Sequence, residues 1–369
     1  MSNWYEIKKE SLPDTPALVV FPERVKHNAQ AAVNLVGDLS RFRPHVKTNK
    51  SAEAIQHLLA VGVYQFKCAT IAEAELLGSV GAKDVVLAYQ PQGPKLQRFI
   101  KLIHEFPHTQ YACLTDNPAI AQEQSDAFIA AGIKVPVYID LNVGMNRTGI
   151  IPDEKALELY QLMHQLPGII VGGFHAYDGH LRNPDILERS KECDAAYAKV
   201  VALKEKAEVA GLKVPVVIAG GSPSFPIHAA RPEVQCSPGT FIYWDHGYSN
   251  LCKEQPFLPA AVLVTRVLSL PAPNKVCTDL GHKSVAAENE ITKRIAFLNA
   301  PDLVATGQSE EHLVLEAPIG HSYKVGDVLY GLPYHICPTV ALYESVFTIE
   351  DGEVTGTWRN TARDRYITF

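Results

Sequence analysis

No run in this sequence approaches the ~20 apolar residues that a membrane-spanning helix requires. The stretch from Met1 to Glu10 is polar and lacks the apolar centre of a secretory signal. An excess of one charge is also missing: 34 Lys and Arg stand against 40 Asp and Glu, for a net charge of -6. With a pI near 6.2, the chain carries no electrostatic footprint for nucleic acid or an anionic membrane. An anionic ligand must therefore meet a local cluster of donors. The seven cysteines, at 68, 113, 193, 236, 252, 277 and 337, are odd in number and contain no C-x-x-C pair. That usage argues against a disulfide scaffold and for a reducing compartment, so a cytoplasmic protein is expected. No G-x-G-x-x-G follows the first apolar run at 17–21, which argues against a dinucleotide-binding doubly wound sheet. Internal repeats and low-complexity segments are absent as well.

What is present is ordinary globular composition, 47% hydrophobic and 20% charged, in a regular alternation. Through the first two-thirds of the chain, apolar runs at 17–21, 43–48, 65–70, 84–89, 110–115, 136–142, 169–176 and 214–219 predict strands. Most are apolar on both faces, as strands of a covered parallel sheet are. Helical patterns fill the intervals at 51–61, 71–80, 117–131, 153–165 and 184–210. Asp116, Asn117 and Asp153 suit N-caps, and Gly62, Gly81 and Gly132 stand where helices should stop. Roughly eight β-α units in succession predict an α/β fold, a (β/α)8 TIM barrel over 15–245. From there on, short β-rich runs at 260–270, 276–279, 312–316, 328–332, 340–349 and 355–358 alternate with turn signals. They predict a second, all-β domain over 246–369.

A barrel gathers its chemistry at the C-terminal ends of its strands. The second predicted strand ends in Arg43-Pro44-His45-Val46-Lys47-Thr48. A lysine drawn into such a strand loses solvation of its ammonium. Its amine then becomes a nucleophile able to form a Schiff base with an aldehyde, as pyridoxal phosphate requires. Taken alone, Lys47 also fits a strand-end lysine whose charge reaches back to water. Two turns late in the barrel, Gly220-Gly221-Ser222-Pro223-Ser224 and Ser237-Pro238-Gly239-Thr240, offer N–H groups and hydroxyls to a phosphate. Arg147 is a permanent planar cation suited to a phenolate or carboxylate, although an ion pair with Asp140 would occupy it. Tyr177 and His180 end the next strand, placed to stack on a ring or to move protons. In extended chain His335 and Cys337 would face one side and together grip an ion such as Zn2+. A buried cysteine beside a structural histidine is the plainer reading of that pair.

Four ordered runs resemble the D-threonine aldolase and D-serine dehydratase family. They are Arg43-Pro44-His45-Val46-Lys47-Thr48, Gly144-Met145-Asn146-Arg147-Thr148-Gly149, Ala176-Tyr177-Asp178-Gly179-His180 and His335-Ile336-Cys337-Pro338-Thr339-Val340. Segments 68–81 and 279–284 are similar to it too, so the resemblance covers nearly the whole chain. It implies a fold-type III pyridoxal-phosphate enzyme of alanine racemase-like architecture, with residues 1–14 joining the β-rich domain. It implies Lys47 as the Schiff-base lysine, with His45, Arg147 and Tyr177 around the cofactor and Gly221, Ser222, Gly239 and Thr240 at its phosphate. His335 and Cys337 would hold a divalent metal, Zn2+ or Mn2+. A homodimer whose partner subunit completes the active site is implied as well.

The implied activity is retro-aldol cleavage of D-threonine-like 3-hydroxy amino acids to glycine and an aldehyde, because Pro338-Thr339-Val340 and its downstream segment look aldolase-like. The alternative is a dehydratase of D-serine or D-3-hydroxyaspartate-like substrates. His335-x-Cys337 looks like the dehydratase form of a motif that aldolases often write with aspartate. An amino-acid racemase would need a second base opposite Lys47. A non-catalytic cofactor carrier would be a single barrel, which residues 250–369 argue against. Arg182-Asn183 stands where many members carry Gln-His, which leaves His180 as the nearest second acid–base group.

Overall fold

The computed structural model describes residues 3–369, which divide into two compact units. The chain's first strand, β1 (Ala17–Val20), belongs to the β-rich unit; the next seven build the barrel. These are β2 (Gln65–Cys68), β3 (Asp84–Leu87), β4 (Gln110–Thr115), β5 (Val135–Leu141), β6 (Ile169–Ala176), β7 (Val216–Ala219) and β8 (Val234–Cys236). They lie parallel and in sequence order. The eighth place is taken by residues 42–46, which bridge β8 through Phe42 and Cys236 and β2 through His45 and Lys67. Its bonds alternate between neighbours: Arg43 N to Cys236 O (2.9 Å) on one side, Val46 N to Lys67 O (3.0 Å) on the other. Pro44 has no N–H to give, so this stave pairs without becoming a regular strand. It ends at Lys47.

Buried Arg43 locks the join. Its guanidinium grips both Asp84 oxygens, at 2.6 and 3.1 Å, and reaches Gln65 Oε1 (3.0 Å) and Gln235 Oε1 (2.9 Å). One side chain thereby ties β2, β3 and β8 to the closing segment.

The helices between strands begin at real caps. Asn117 Oδ1 accepts from Ala119 N and Ile120 N, and Asp153 Oδ1 accepts from Lys155 N and Ala156 N. Thr70 caps Ile71–Ser79 by accepting from Glu73 N, while Glu73 reaches back to Ala69 N. Asp116 does not cap; it holds Gly149 N at 2.8 Å.

The predicted barrel span of 15–245 requires correction, because run 17–21 is not a barrel stave. β1 pairs antiparallel with β9 (Ala261–Ala272) and parallel with β15 (Ser345–Glu350), while β8 fills the place expected of it. A fully buried apolar run reads alike in either sheet, and three-residue β8 is too short to announce itself. The barrel unit accordingly comprises Ala32–Lys47, Leu58–Gly239 and Asp364–Phe369. The tail joins it where Arg98 donates to Phe369 O.

The other unit takes the N-terminal residues through Ala31, Thr48–His57 and Thr240–Arg363. Its sheet runs β12 (Val304–Gln308), β13 (Leu313–Glu316), β10 (Lys275–Thr278), β9, β1, β15 and β16 (Glu353–Arg359). β14 (Val328–Pro333) also pairs with β9 and carries β11 (Ile295–Phe297). Val19, Val262, Val264, Tyr330 and Ile349 form its core, on which Tyr5 and Ile7 are buried. Among the described residues no helix is long and apolar enough to cross a membrane.

Candidate active site

The barrel unit holds a cavity of about 300 Å³ whose wall includes His45, Lys47, Lys67, Arg147, His175 and Tyr177. Three cations face the half-buried Tyr177 ring. The Arg147 guanidinium lies 5.0 Å from its centroid, Lys47 Nζ 5.7 Å and Lys67 Nζ 5.8 Å. The backbone N–H of Lys47 donates to His45 Nδ1 (3.2 Å), which fixes that imidazole beside the lysine. The same tyrosine packs on the glycine turn after β7: a Cβ on Gly221 would fall 2.9 Å from its ring. Gly220 has φ +84°, and a Cβ there would fall 2.6 Å from His228. One ring thus touches the turn offered for phosphate and faces the lysine offered for the aldehyde. Ser222, Gly239 and Thr240 are buried near the ends of β7 and β8.

Arg147 is exposed on a loop shaped by Asn142, whose Oδ1 accepts from Gly144 N (3.1 Å) and Asn146 N (3.0 Å). Asp140 turns elsewhere, to His175 Nδ1 (2.7 Å) and the Thr148 hydroxyl (2.9 Å). His180 is exposed and packs over Gly144, where a Cβ would meet its Nε2 at 2.7 Å; it does not line the cavity.

Two buried networks escaped the reading of the sequence. In the first, Lys67 Nζ lies 3.4 Å from His175 Nε2. Burial, then the charge of Lys67, push the His175 pKa down, so its Nδ1–H goes to Asp140 and Nε2 accepts from Lys67. Burial alone would raise the Asp140 carboxyl, but the bond to His175 holds it below its usual range. In the second, Asp178 accepts from Ser224 Oγ (2.7 Å) and His228 Nε2 (2.8 Å), and Ser224 Oγ accepts from Gly221 N (3.2 Å). Cys193 Sγ lies 3.4 Å from His228 Nε2, making a trio of metal-ligating types. Arg231 donates to His228 Nδ1 (2.6 Å), so Nε2 carries the proton, and burial pushes the Cys193 thiol up to about 12. The trio also braces the glycine turn, because Asp178 holds Ser224 and Ser224 holds Gly221 N.

In the β-rich unit, His335 and Cys337 are not in extended chain as expected. His335 is the N-cap residue of a short helix, Ile336–Val340, whose start is pinned by Asp245 Oδ2 accepting from Ile336 N. The thiol still lies close enough to the imidazole to act on its protonation. His335 Nδ1 meets Glu288 at 2.5 Å, and Cys337 Sγ lies 3.1 Å from the Thr48 hydroxyl and 3.6 Å from that of Thr240. Burial opposes protonation of His335, but bonds to Cys337 and Glu288 outweigh it and raise its pKa to about 9. A carboxylate on Nδ1 is the usual partner of a metal-binding imidazole, leaving Nε2 and the sulfur as donors. This donor set fits a divalent ion. The cation-lined cavity, whose Tyr177 packs on the glycine turn, fits a phosphorylated, anionic ring.

The alanine racemase N-terminal domain model matches residues 21–246, well over half of the chain. The chain belongs to the alanine racemase N-terminal-domain family. A serine dehydratase domain model matches residues 260–349, within the β-rich unit. Among curated proteins, this family member is 28% identical to a D-threonine aldolase of an Arthrobacter species, over 95% of the chain and 93% of that protein. It is 26% identical to D-threo-3-hydroxyaspartate dehydratase of Delftia sp. (strain HT23), over 94% of the chain and 96% of that protein. The crystal structure of D-threonine aldolase from Filomicrobium marinum shares the fold, with a TM-score of 0.87 at 24% identity over 95% of both chains.

Proposed function

We propose that this protein is a pyridoxal-phosphate- and divalent-metal-dependent lyase that cleaves D-threonine-like 3-hydroxy amino acids to glycine and an aldehyde. The observation that carries the reading is the placement of Lys47, whose amine faces the Tyr177 ring while that ring packs on the Gly220-Gly221 turn. The activities named for the Arthrobacter and Delftia relatives support the substrate class. Pyridoxal phosphate, when bound, supplies a ring that draws electrons from the substrate Cα.

The chain's own residues do the rest. Lys47 would hold the cofactor through its aldehyde. Arg147, His45 and Tyr177 would hold and orient the ring, and Gly221, Ser222, Gly239 and Thr240 would take the phosphate. His335 and Cys337 would hold Zn2+ or Mn2+, which would supply Lewis acidity toward the substrate hydroxyl. A base takes the hydroxyl proton, a role for which His180 was expected but from which its place outside the cavity removes it; the Cα–Cβ bond breaks to free the aldehyde, and Lys47 returns a proton to Cα to leave glycine. In the same reading the enzyme is a cytoplasmic homodimer whose partner subunit completes the site.

Dehydration is the second reading, supported by Cys337 and by the Delftia relative. There Lys47 removes the Cα proton, the hydroxyl leaves as water, and a keto acid and ammonia are the products. Incubation with D-threonine and D-serine separates the two. Glycine without ammonia, lost on chelation and restored by Zn2+ or Mn2+, is the expected result; ammonia with a keto acid rejects the aldolase. Lys47→Ala should lose turnover and the yellow colour of the holoenzyme together, and an active, yellow Lys47→Ala enzyme would sink both readings.

A further inference from the structure

Lys67 is the third residue of β2, in Gln65-Phe66-Lys67-Cys68, and only 2% of it is exposed. An ammonium so placed costs several kcal/mol unless its donors are met. The structure meets one of them, with the lone pair of His175 Nε2. The acceptor is itself fixed: His175 stands directly opposite Asp140 across β5 and β6 and gives that carboxylate its Nδ1–H. Lys67 therefore has donors to spare, and it turns them to the cavity wall it shares with Lys47 and Arg147.

Depth identifies the ligand atom class. Lys67, His175 and Asp140 are 2%, 5% and 7% exposed, whereas Lys47 is half-buried and Arg147 is exposed. A substrate arriving from solvent meets the outer groups first; the floor meets the ring ligand. Aliphatic neighbours could have formed that floor at far lower cost. We propose that Lys67 is a second cation for the ring ligand that Lys47 holds, fixed by His175 and Asp140, and that its charge favours the unprotonated form of the Lys47–cofactor linkage. This rests on Lys47 being the cofactor lysine.

The charged groups acting on Lys67 come from the closing segment, β5 and the turn after β6. Lys47 and Arg43 on the closing segment oppose its charge, while Asp140 on β5 and Asp178 after β6 favour it. His175 is neutral and Arg147 stands across Tyr177. Burial, then Lys47, bring its pKa down to about 7, so Lys67 is a responsive charge near neutrality.

The test uses the full chain loaded with pyridoxal phosphate. Borohydride reduction and peptide mapping come first, and pyridoxyl on Lys47 is expected in wild type, Lys67→Met and Lys67→Arg. A label on Lys67, or none, defeats the Lys47 reading and this proposal with it. With Lys47 labelled, the visible band is then titrated with pH. Lys67→Met should move its midpoint upward by about one pH unit, the order expected when a nearby like charge is removed. Lys67→Arg, permanently charged, should stay closer to wild type than Lys67→Met. Coincident midpoints in wild type and Lys67→Met would overturn the proposal while leaving the Lys47 reading intact. Should Lys67→Met fail to fold, Lys67→Gln takes its place in the same titration.

Discussion

At the scale of single residues, the site divides into what a sequence displays and what only register assembles. Lys47, Arg147 and Tyr177 sit in motifs at strand ends and were legible there. Lys67 stands in an apolar run just as Lys47 does, so the warning of a buried lysine was present, but its partners were hidden. Asp140 and His175 are 35 positions apart and meet only because their strands align them. The Asp178 brace is the same kind of object, and it gives a sharp expectation. Asp178 accepts from Ser224 and His228, and Ser224 in turn holds Gly221 N. Burial would raise its carboxyl, yet hydrogen bonds from His228 and Ser224 keep it lowered, so it works as an ionised acceptor. Asp178→Asn removes that charge with little change of volume and should loosen the Gly220-Gly221 turn proposed to take the phosphate. The Kd for pyridoxal phosphate should rise about tenfold, as for a charge-assisted hydrogen bond lost in a buried site, while that for phosphate-free pyridoxal stays put. Equal losses for both ligands would show that the turn does not handle the phosphate.

At the scale of elements, β6 shows how a local defect aims functional side chains. Its pairing with β5 slips by one residue, from Val137 opposite Val171 to Tyr138 opposite Gly173. The extra residue is a β-bulge, and it turns the rest of the strand so that His175 comes opposite Asp140. Glycine is required at Gly173, where φ is +120° and a Cβ would lie 2.0 Å from Val216 O on β7. Backbone cannot step aside as a flexible side chain can. Gly173→Ala is therefore expected to cost about 3 kcal/mol or more, read by urea unfolding, and a loss below about 1 kcal/mol would show that the bulge relaxes. Two adjacent glycines inside an apolar run were a visible sign of this bulge. The other element-level differences had weaker signals. β1 carries the right pattern for a barrel strand, but a pattern of burial does not name a partner sheet. The closing segment kept its place in the ring despite Pro44, since bonds to β2 and β8 replace a regular ladder. Residues 335–340 are too few for periodicity to separate a helical turn from a strand.

At the scale of the whole molecule, the small net charge hides a local excess of cations whose trace should appear in global stability. Lys67 falls from its ordinary 10.5 to about 7 in the folded chain, chiefly through burial and next through Lys47. Below the lower value the lysine is charged in both folded and unfolded chains, and the cost of its burial is fully felt. Between about 7 and 10.5 the unfolded chain keeps the proton that the folded chain has lost, so the unfolded state binds more protons and stability climbs with pH. The limiting slope is about 1.4 kcal/mol per pH unit for one such group, and neighbouring charges reduce it. The other shifted groups in this network act elsewhere. Asp140 and Asp178, both lowered, stabilise above the usual carboxylate range and lose that contribution only on acidification. His175, also lowered, gains as pH rises toward its ordinary 6.5 and is neutral in both states beyond it. The cofactor-free Lys67→Met protein has no amine to titrate, so it should be more stable than wild type by a margin that shrinks as pH rises. Urea unfolding at about pH 6.5 and about pH 9.5 measures that margin, expected to be several kcal/mol at the lower value and most of it gone at the higher. A margin independent of pH would mean that Lys67 keeps its solvation when the chain folds, and a less stable Lys67→Met would mean that the ammonium is held for stability rather than for the ring it faces.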